Sequence, residues 1–146
     1  MSPQLEISFI QFLQKGYNSL LFATALISGA LLLWPLLRRG AGGPWVSTLE
    51  ATQLMNRSDA LVIDVRDAAE FAKGHILGAR GIPLGELERR AAELERHKGK
   101  PVIVYCGNGS RAGAAVALLR KSGFASVHNL AGGFAAWQQA GLPVEK

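Results

Sequence analysis

The chain reads PVIVY over residues 101–105, CGNGSR over residues 106–111 and AGAAVALLRK over residues 112–121. The first segment is a continuous apolar run, which is typical of a strand buried on both faces of a parallel sheet. The last segment is rich in Ala and Leu and is followed by Gly123, a common residue at the end of a helix. The pattern therefore predicts a strand, a tight loop and a helix, with Cys106 at the point where the strand ends.

The loop that begins at Cys106 has the composition of an anion-binding turn. Gly107 and Gly109 can adopt backbone conformations that are closed to other residues, so that successive N–H groups can point inward. The helix N-terminus adds partial positive charge, and Arg111 adds a fixed cation. We expect this setting to favour a thiolate over a thiol and to make Cys106 nucleophilic. The alternative is an inert core thiol, as many free cysteines are.

Strand and helix patterns alternate on both sides of this loop. Ser47-Thr48-Leu49-Glu50 fits a capping box that opens a helix. An apolar run predicts a further strand at 60–65, and shorter strands are predicted at 80–82, before Pro83, and at 126–130. Helical patterns cover 48–56, 67–73, 86–97 and 134–140. The alternation predicts an α/β domain, a doubly wound parallel sheet with helices on both faces. The ligand site of such a sheet lies at the carboxyl ends of its strands.

Three sequence blocks carry a resemblance to a known family. They are DVRD at 64–67 with EF at 70–71 and GHILGA at 74–79, then CGNGSR at 106–111, then LAGGFAAW at 130–137. They resemble, in order, the DVR…EF…GHIxGA, Cys-x-x-x-x-Arg and LxGGxxxW motifs of rhodanese-like domains, and the match runs from Val46 to Val144.

The resemblance implies a rhodanese-like sulfurtransferase, similar to bacterial inner-membrane members of the family. Its Cys106 would take a sulfane sulfur from thiosulfate or a persulfide and pass it to a thiol or protein acceptor, without a metal or an organic cofactor. The resulting persulfide would be held by the loop backbone, namely by Gly107, Asn108, Gly109, Ser110 and Arg111. Asp64 and Arg66 would shape the site as an ion pair or a brace rather than perform chemistry.

Two other functions remain open at this stage. The first is a membrane-tethered binding or sulfur-delivery module with little free catalysis. The second is a cysteine phosphatase or arsenate reductase, which uses a Cys-x5-Arg loop. Only four residues separate Cys106 from Arg111, and Tyr105 stands where such phosphatases place a histidine. The shorter loop favours a sulfur atom over a phosphate.

Other side chains of these blocks are predicted to be structural. His75 lies in a Gly-His-Ile turn, where we expect it to support the fold rather than act as a base. Gly132 and Gly133 are expected to let the chain turn closely beneath the cysteine loop. Phe71, Phe134 and Trp137 are expected in the core.

The N-terminal segment has a different composition from the rest of the chain. Residues 19–37 carry no charge and, as a helix, would span roughly 28 Å, close to the apolar thickness of a bilayer. They predict a single transmembrane helix. Lys15 precedes this stretch and Arg38 and Arg39 follow it, so the domain is expected on the cytoplasmic side of a bacterial inner membrane. The predicted organisation is a juxtamembrane segment (1–18), the membrane helix (19–37), a linker (38–45) and the rhodanese-like domain (46–146).

Composition excludes several other classes of site and partner. The chain has one cysteine, which excludes an intrachain disulfide, a thiolate-cage zinc site and a resolving thiol in the same chain. The net charge is +5, but no basic run is longer than two residues and no aromatic platform accompanies one. Nucleic-acid binding is therefore not expected.

Overall fold

The computed structural model describes residues 11, 16–39 and 43–146, and within 16–39 it describes the side chains of 19–34. The chain divides into two units, Met1–Arg39 and Gly40–Lys146. The first unit contains helix α1, Gly16–Arg39.

The transmembrane helix predicted over residues 19–37 is not supported. Within the described part of the chain, no helix is both long and apolar enough to cross a membrane. Most of the predicted juxtamembrane segment, and residues 40–42 of the predicted linker, lie outside the described residues.

The second unit is built on a five-stranded parallel sheet. Its strands are β1 (Trp45–Val46), β2 (Leu61–Asp64), β4 (Arg80–Gly81), β5 (Val102–Tyr105) and β6 (Val127–Leu130). Their spatial order is β1-β6-β5-β2-β4. A separate antiparallel pair is formed by β3 (His75–Ile76) and β7 (Val144–Glu145). Strand β5 is therefore central, and the loop after it opens at the middle of the sheet edge.

Helices cover both faces of this sheet. They are α2 (Thr48–Ser58), α3 (Ala68–Lys73), α4 (Leu84–Arg90) with a 3₁₀ helix (Ala91–His97), α5 (Ala112–Lys121) and α6 (Gly133–Gln139). One core cluster joins alternate strand residues to α4, the 3₁₀ helix and α5. The opposite cluster joins the intervening strand residues to α2 and α6. Successive residues of β5 thus face opposite cores, as alternation in a strand requires.

The predicted α/β class, with a parallel sheet between helices, is confirmed. Ser47 and Glu50 form the predicted capping box at the start of α2. The helix predicted over 86–97 changes to a 3₁₀ helix at Ala91, and Leu87 and Leu94 are both buried in the same core. Strands β1, β3 and β7, of two residues each, were not predicted, whereas β4, which is equally short, lies within the strand predicted at 80–82.

Candidate active site

Cys106 follows the last residue of the central strand, and its side chain is fully buried. The backbone N–H of Gly109 donates to its Sγ at 3.1 Å. The Oδ1 of Asn108 lies 3.9 Å from the same sulfur. The sulfur therefore accepts a backbone N–H from the loop that follows it.

The side chain of Asn108 shapes the outer half of the loop. Its Oδ1 accepts from the backbone N–H of Ser110 at 3.1 Å and from the Ser110 hydroxyl at 2.7 Å, the pattern of an Asx turn. Gly109 has a φ of +90°, which favours glycine,. Gly107 is not among the residues with positive φ, so the expectation that both loop glycines adopt such conformations is wrong for Gly107.

Asn129, in strand β6, supports the loop from below. Its Nδ2 donates to the carbonyl oxygen of Gly109 at 3.3 Å, and the residue is fully buried. Its Oδ1 has no hydrogen-bond partner within the described part of the chain. The sequence analysis missed this residue, although an amide two positions after the apolar Val127, and so on the same face of a predicted strand, is a signal that could have found it,.

The start of helix α6 packs directly beneath the cysteine loop. The N–H of Phe134 donates to the Cys106 carbonyl at 2.8 Å, and that of Ala135 donates to the Gly107 carbonyl at 3.1 Å. Gly133 has a φ of +58°, and a Cβ there would lie 2.3 Å from the Cys106 oxygen and 2.7 Å from the Gly109 nitrogen. The close turn predicted for Gly132 and Gly133 is confirmed.

Asp64 and Arg66 form a buried ion pair next to the site. The Arg66 Nη2 lies 2.6 Å from Asp64 Oδ2, and its Nε lies 3.0 Å from each carboxylate oxygen. Burial alone would lower the pKa of Arg66, but the hydrogen bonds and charge of Asp64 raise it above its usual value. The guanidinium also lies 4.2 Å from the Phe134 ring centroid, so the pair contacts the residue whose N–H holds the Cys106 carbonyl.

Arg111, at the end of the loop, is directed towards an acid of helix α3. Its Nη2 lies 3.5 Å from the Oε2 of Glu70, and the two side chains are 47% and 39% exposed. The same Glu70 oxygen accepts from the backbone N–H of Asp67 at 3.4 Å. The cation predicted at the loop is therefore present, but a carboxylate lies beside it.

His75 and Tyr105 hold strand β3 in place. His75 is buried, stacks on Phe71 at 3.7 Å and lies 3.0 Å through its Nδ1 from the Phe71 carbonyl. The Tyr105 hydroxyl accepts from the Ile76 N–H at 3.1 Å, and burial raises the pKa of Tyr105 far above its usual value. The two contacts of His75 with Phe71 agree with a structural role for this histidine.

Comparison with known proteins then identifies the family. Residues 47–140 match the family model described as the rhodanese-like domain. The chain belongs to the rhodanese-like domain family.

Two relatives and one solved structure illustrate the range of similar proteins. The uncharacterized protein YqhL of Bacillus subtilis is 50% identical over 78 residues, which cover 53% of this chain and 60% of that relative. A sulfurtransferase of Allochromatium vinosum is 37% identical over 92 residues, covering 63% of this chain and 84% of that protein. The solution structure of the rhodanese-like domain of the Anabaena sp. Alr3790 protein has a TM-score of 0.62 and 34% identity, and covers 70% of this chain and 78% of that one.

Proposed function

We propose that this rhodanese-like chain is a sulfurtransferase that moves a sulfane sulfur through a persulfide on Cys106. The observation that carries the proposal is the Gly109 N–H hydrogen bond to the Cys106 sulfur, inside a loop of six residues from Cys106 to Arg111. Family membership and the relative named sulfurtransferase support a sulfurtransferase-type role. The geometry of the loop supports the more specific proposal that the sulfur passes through a persulfide on Cys106.

The proposed reaction is a double displacement. The Cys106 thiolate attacks the outer sulfur of a donor such as thiosulfate, the S–S bond of the donor breaks, and sulfite leaves with the bonding pair. The Cys106 persulfide that forms is an anion, which the loop N–H groups would stabilise. An acceptor thiolate, or cyanide in an assay, then attacks the outer sulfur and restores the Cys106 thiolate. Because the chain has one cysteine, the acceptor is another molecule.

The burial of Cys106 sets a condition on this reaction. Its side chain is fully buried, whereas Asn108 and Ser110 of the covering loop are exposed. A donor therefore reaches the sulfur only when residues 107–110 move aside. In the opposing hypothesis, that of an inert core thiol, no such movement occurs and the sulfur stays unreactive.

Intact-mass measurement of the full-length chain after thiosulfate or polysulfide treatment tests the proposal. The expected result is a gain of one sulfur atom that cyanide removes and that Cys106→Ser does not acquire. Ser58→Ala is the control, because it removes a hydroxyl at an exposed position outside the loop and leaves the thiol. An unmodified chain that hydrolyses a phosphate ester would instead support the phosphatase alternative. A persulfide that forms but is not turned over would support the delivery module.

We also propose that residues 19–37 attach the chain to a membrane, with the domain on the cytoplasmic side. The support is an uncharged helical segment whose apolar side chains, including Leu20, Leu26 and Leu32, are more than 60% exposed. Such a surface is stabilised by lipid contact. Sedimentation of the chain with phospholipid vesicles is expected, and the Leu26→Lys/Leu31→Lys variant is expected to stay in the supernatant. Equal sedimentation of both proteins would contradict the proposal.

A further inference from the structure

Each arginine beside the cysteine loop is paired with a side chain of opposite charge. Arg66 is bound by the buried carboxylate of Asp64, and Arg111 lies 3.5 Å from Glu70. Asp67, which precedes helix α3, is exposed and adds a further negative charge. The residues described around the loop therefore present no net positive charge to an incoming anion.

Glu70 is held in this position by more than its contact with Arg111. Its Oε2 also accepts from the backbone N–H of Asp67 at 3.4 Å, within the capping box at the start of helix α3. A single exposed ion pair is weak. A carboxylate that is also anchored by a backbone donor keeps its charge near Arg111 when a ligand approaches.

This placement affects donors according to their charge. A donor reaches Cys106 through the exposed part of the loop, and Arg111 at the end of that loop is the residue closest in sequence that could attract an anion. Charges within about 10 Å of one another still interact at ordinary salt concentrations. The repulsion by Glu70 acts twice as strongly on a dianion, such as thiosulfate, as on a monoanion.

We propose that Glu70 is a specificity-determining residue, which neutralises Arg111 and thereby selects sulfur donors with one negative charge or none over dianions. This inference rests on the proposed sulfurtransferase function. Both donor classes react by the same step. The Cys106 thiolate attacks the sulfane sulfur, the donor S–S bond breaks, and the bonding pair leaves on sulfite from thiosulfate or on a sulfinate from a thiosulfonate.

Thiosulfate and methanethiosulfonate test the inference, because they present the same bond with two charges and one charge. The full-length chain and Glu70→Gln are compared by kcat/KM for each donor, with cyanide as acceptor and thiocyanate as the measured product. Glutamine retains an oxygen that can accept the Asp67 N–H, so the helix cap is kept. The matched control is Glu95→Gln, which removes the same charge beside Lys98, ahead of the amino end of β5.

The expected result is that Glu70→Gln raises kcat/KM about tenfold for thiosulfate and about threefold for methanethiosulfonate, with both gains shrinking at high salt. Glu95→Gln is expected to change neither. Three results would overturn the role of Glu70: kcat/KM changes equally for the two donors, it does not change, or it changes in the same way in Glu95→Gln. Each of them would leave the sulfurtransferase proposal standing. A chain that makes no persulfide from either donor would overturn the sulfurtransferase proposal itself.

Discussion

The backbone N–H of Gly109 lies 3.1 Å from the sulfur of Cys106 and donates to it. The carbonyl group of the same glycine accepts from the buried Asn129 side chain at 3.3 Å. Gly109 is thus held on both sides, by the thiol above it and by strand β6 below it. The N–H that contacts the sulfur thus belongs to a residue that is also bound by Asn129, which does not contact the sulfur itself.

Replacing Asn129 with Leu is expected to lower the reactivity of Cys106 more than the stability of the domain. The change frees the Gly109 carbonyl, and a hydrogen bond of this kind contributes about 1 kcal/mol, which corresponds to about a fivefold slower reaction. It also removes a buried amide oxygen that has no partner among the described residues, which offsets part of the lost stability. Iodoacetamide alkylation of Cys106 at neutral pH measures the reactivity, and urea unfolding measures the stability.

The control for this variant is Asn56→Leu, the same chemical change at an exposed position of helix α2. Alkylation of this control should match that of the unmodified chain. If Asn129→Leu alkylates at the unmodified rate, Asn129 does not position Gly109.

Replacing Gly133 with Ala is expected to disrupt both the fold and the site. The new Cβ would lie 2.3 Å from the Cys106 carbonyl oxygen, in a residue with φ of +58°. Strain of this kind costs about 1–3 kcal/mol, and relief of the contact moves the loop that holds the sulfur. Urea unfolding should show this loss, and thiosulfate should no longer form the persulfide.

Gly85→Ala is the matched control for that change. Gly85 lies in helix α4, and an added Cβ there meets nothing within 4 Å. Gly85 is the second residue of the helix, and alanine is favoured over glycine by about 0.5–1 kcal/mol in helix interiors, so this variant should be at least as stable as the unmodified chain. Similar losses in the two variants would show that the space beneath Cys106 is not limiting.

Removing one partner of the Asp64–Arg66 pair is expected to lower the free energy of unfolding more than removing both partners. Arg66→Met leaves a fully buried carboxylate without its cation, which costs about 3–5 kcal/mol. In the double variant Asp64→Leu/Arg66→Met neither charge remains, and the loss of unfolding free energy should be smaller. Thermal and urea unfolding of both proteins and of the single variant Asp64→Leu check the order, and additive losses would show that the two side chains do not interact.

Sequence reasoning reached the sheet and the cysteine loop because each rests on a local signal. The apolar run 101–105 and the loop beginning at Cys106 are contiguous in the chain, so their order alone placed the thiol at the end of a strand. The strand pair of His75–Ile76 with Val144–Glu145 could not be found in this way. Its residues are far apart in sequence, and each strand is too short to show a period.

The contacts that support the site could not be predicted from local sequence patterns either. Asn129 reaches Gly109 only because β6 lies beside β5, a neighbour relation that the order of elements in the chain does not specify. Glu70 belongs to the EF pair of the first sequence block, and its contact with Arg111 joins residues 41 positions apart, which no local pattern specifies. The loop sequence predicted the cation Arg111, whereas the carboxylate of Glu70 beside it is visible only in three dimensions.

The stability of the domain is expected to decrease as the pH falls below about 6.5 because of His128. Burial lowers the pKa of this histidine below its ordinary value of 6.5, and the positive charge of Arg120 lowers it further. The unfolded chain therefore binds more protons than the folded chain below that pH, and the free energy of unfolding declines towards acid pH. The slope contributed by one such group is at most about 1.4 kcal/mol per pH unit.

Urea unfolding at pH 7.5 and pH 5.5 measures this dependence in the unmodified chain and in His128→Gln. Glutamine retains a polar group that can bind the Ser126 hydroxyl, which lies 3.0 Å from His128 Nε2, but it does not titrate. The variant should therefore lose less stability than the unmodified chain between the two pH values. His97→Gln is a second comparison, because the pKa of His97 is also lowered, so this variant should also lose less stability than the unmodified chain between the two pH values. If all three proteins lose the same stability, protonation of His128 does not drive the acid dependence.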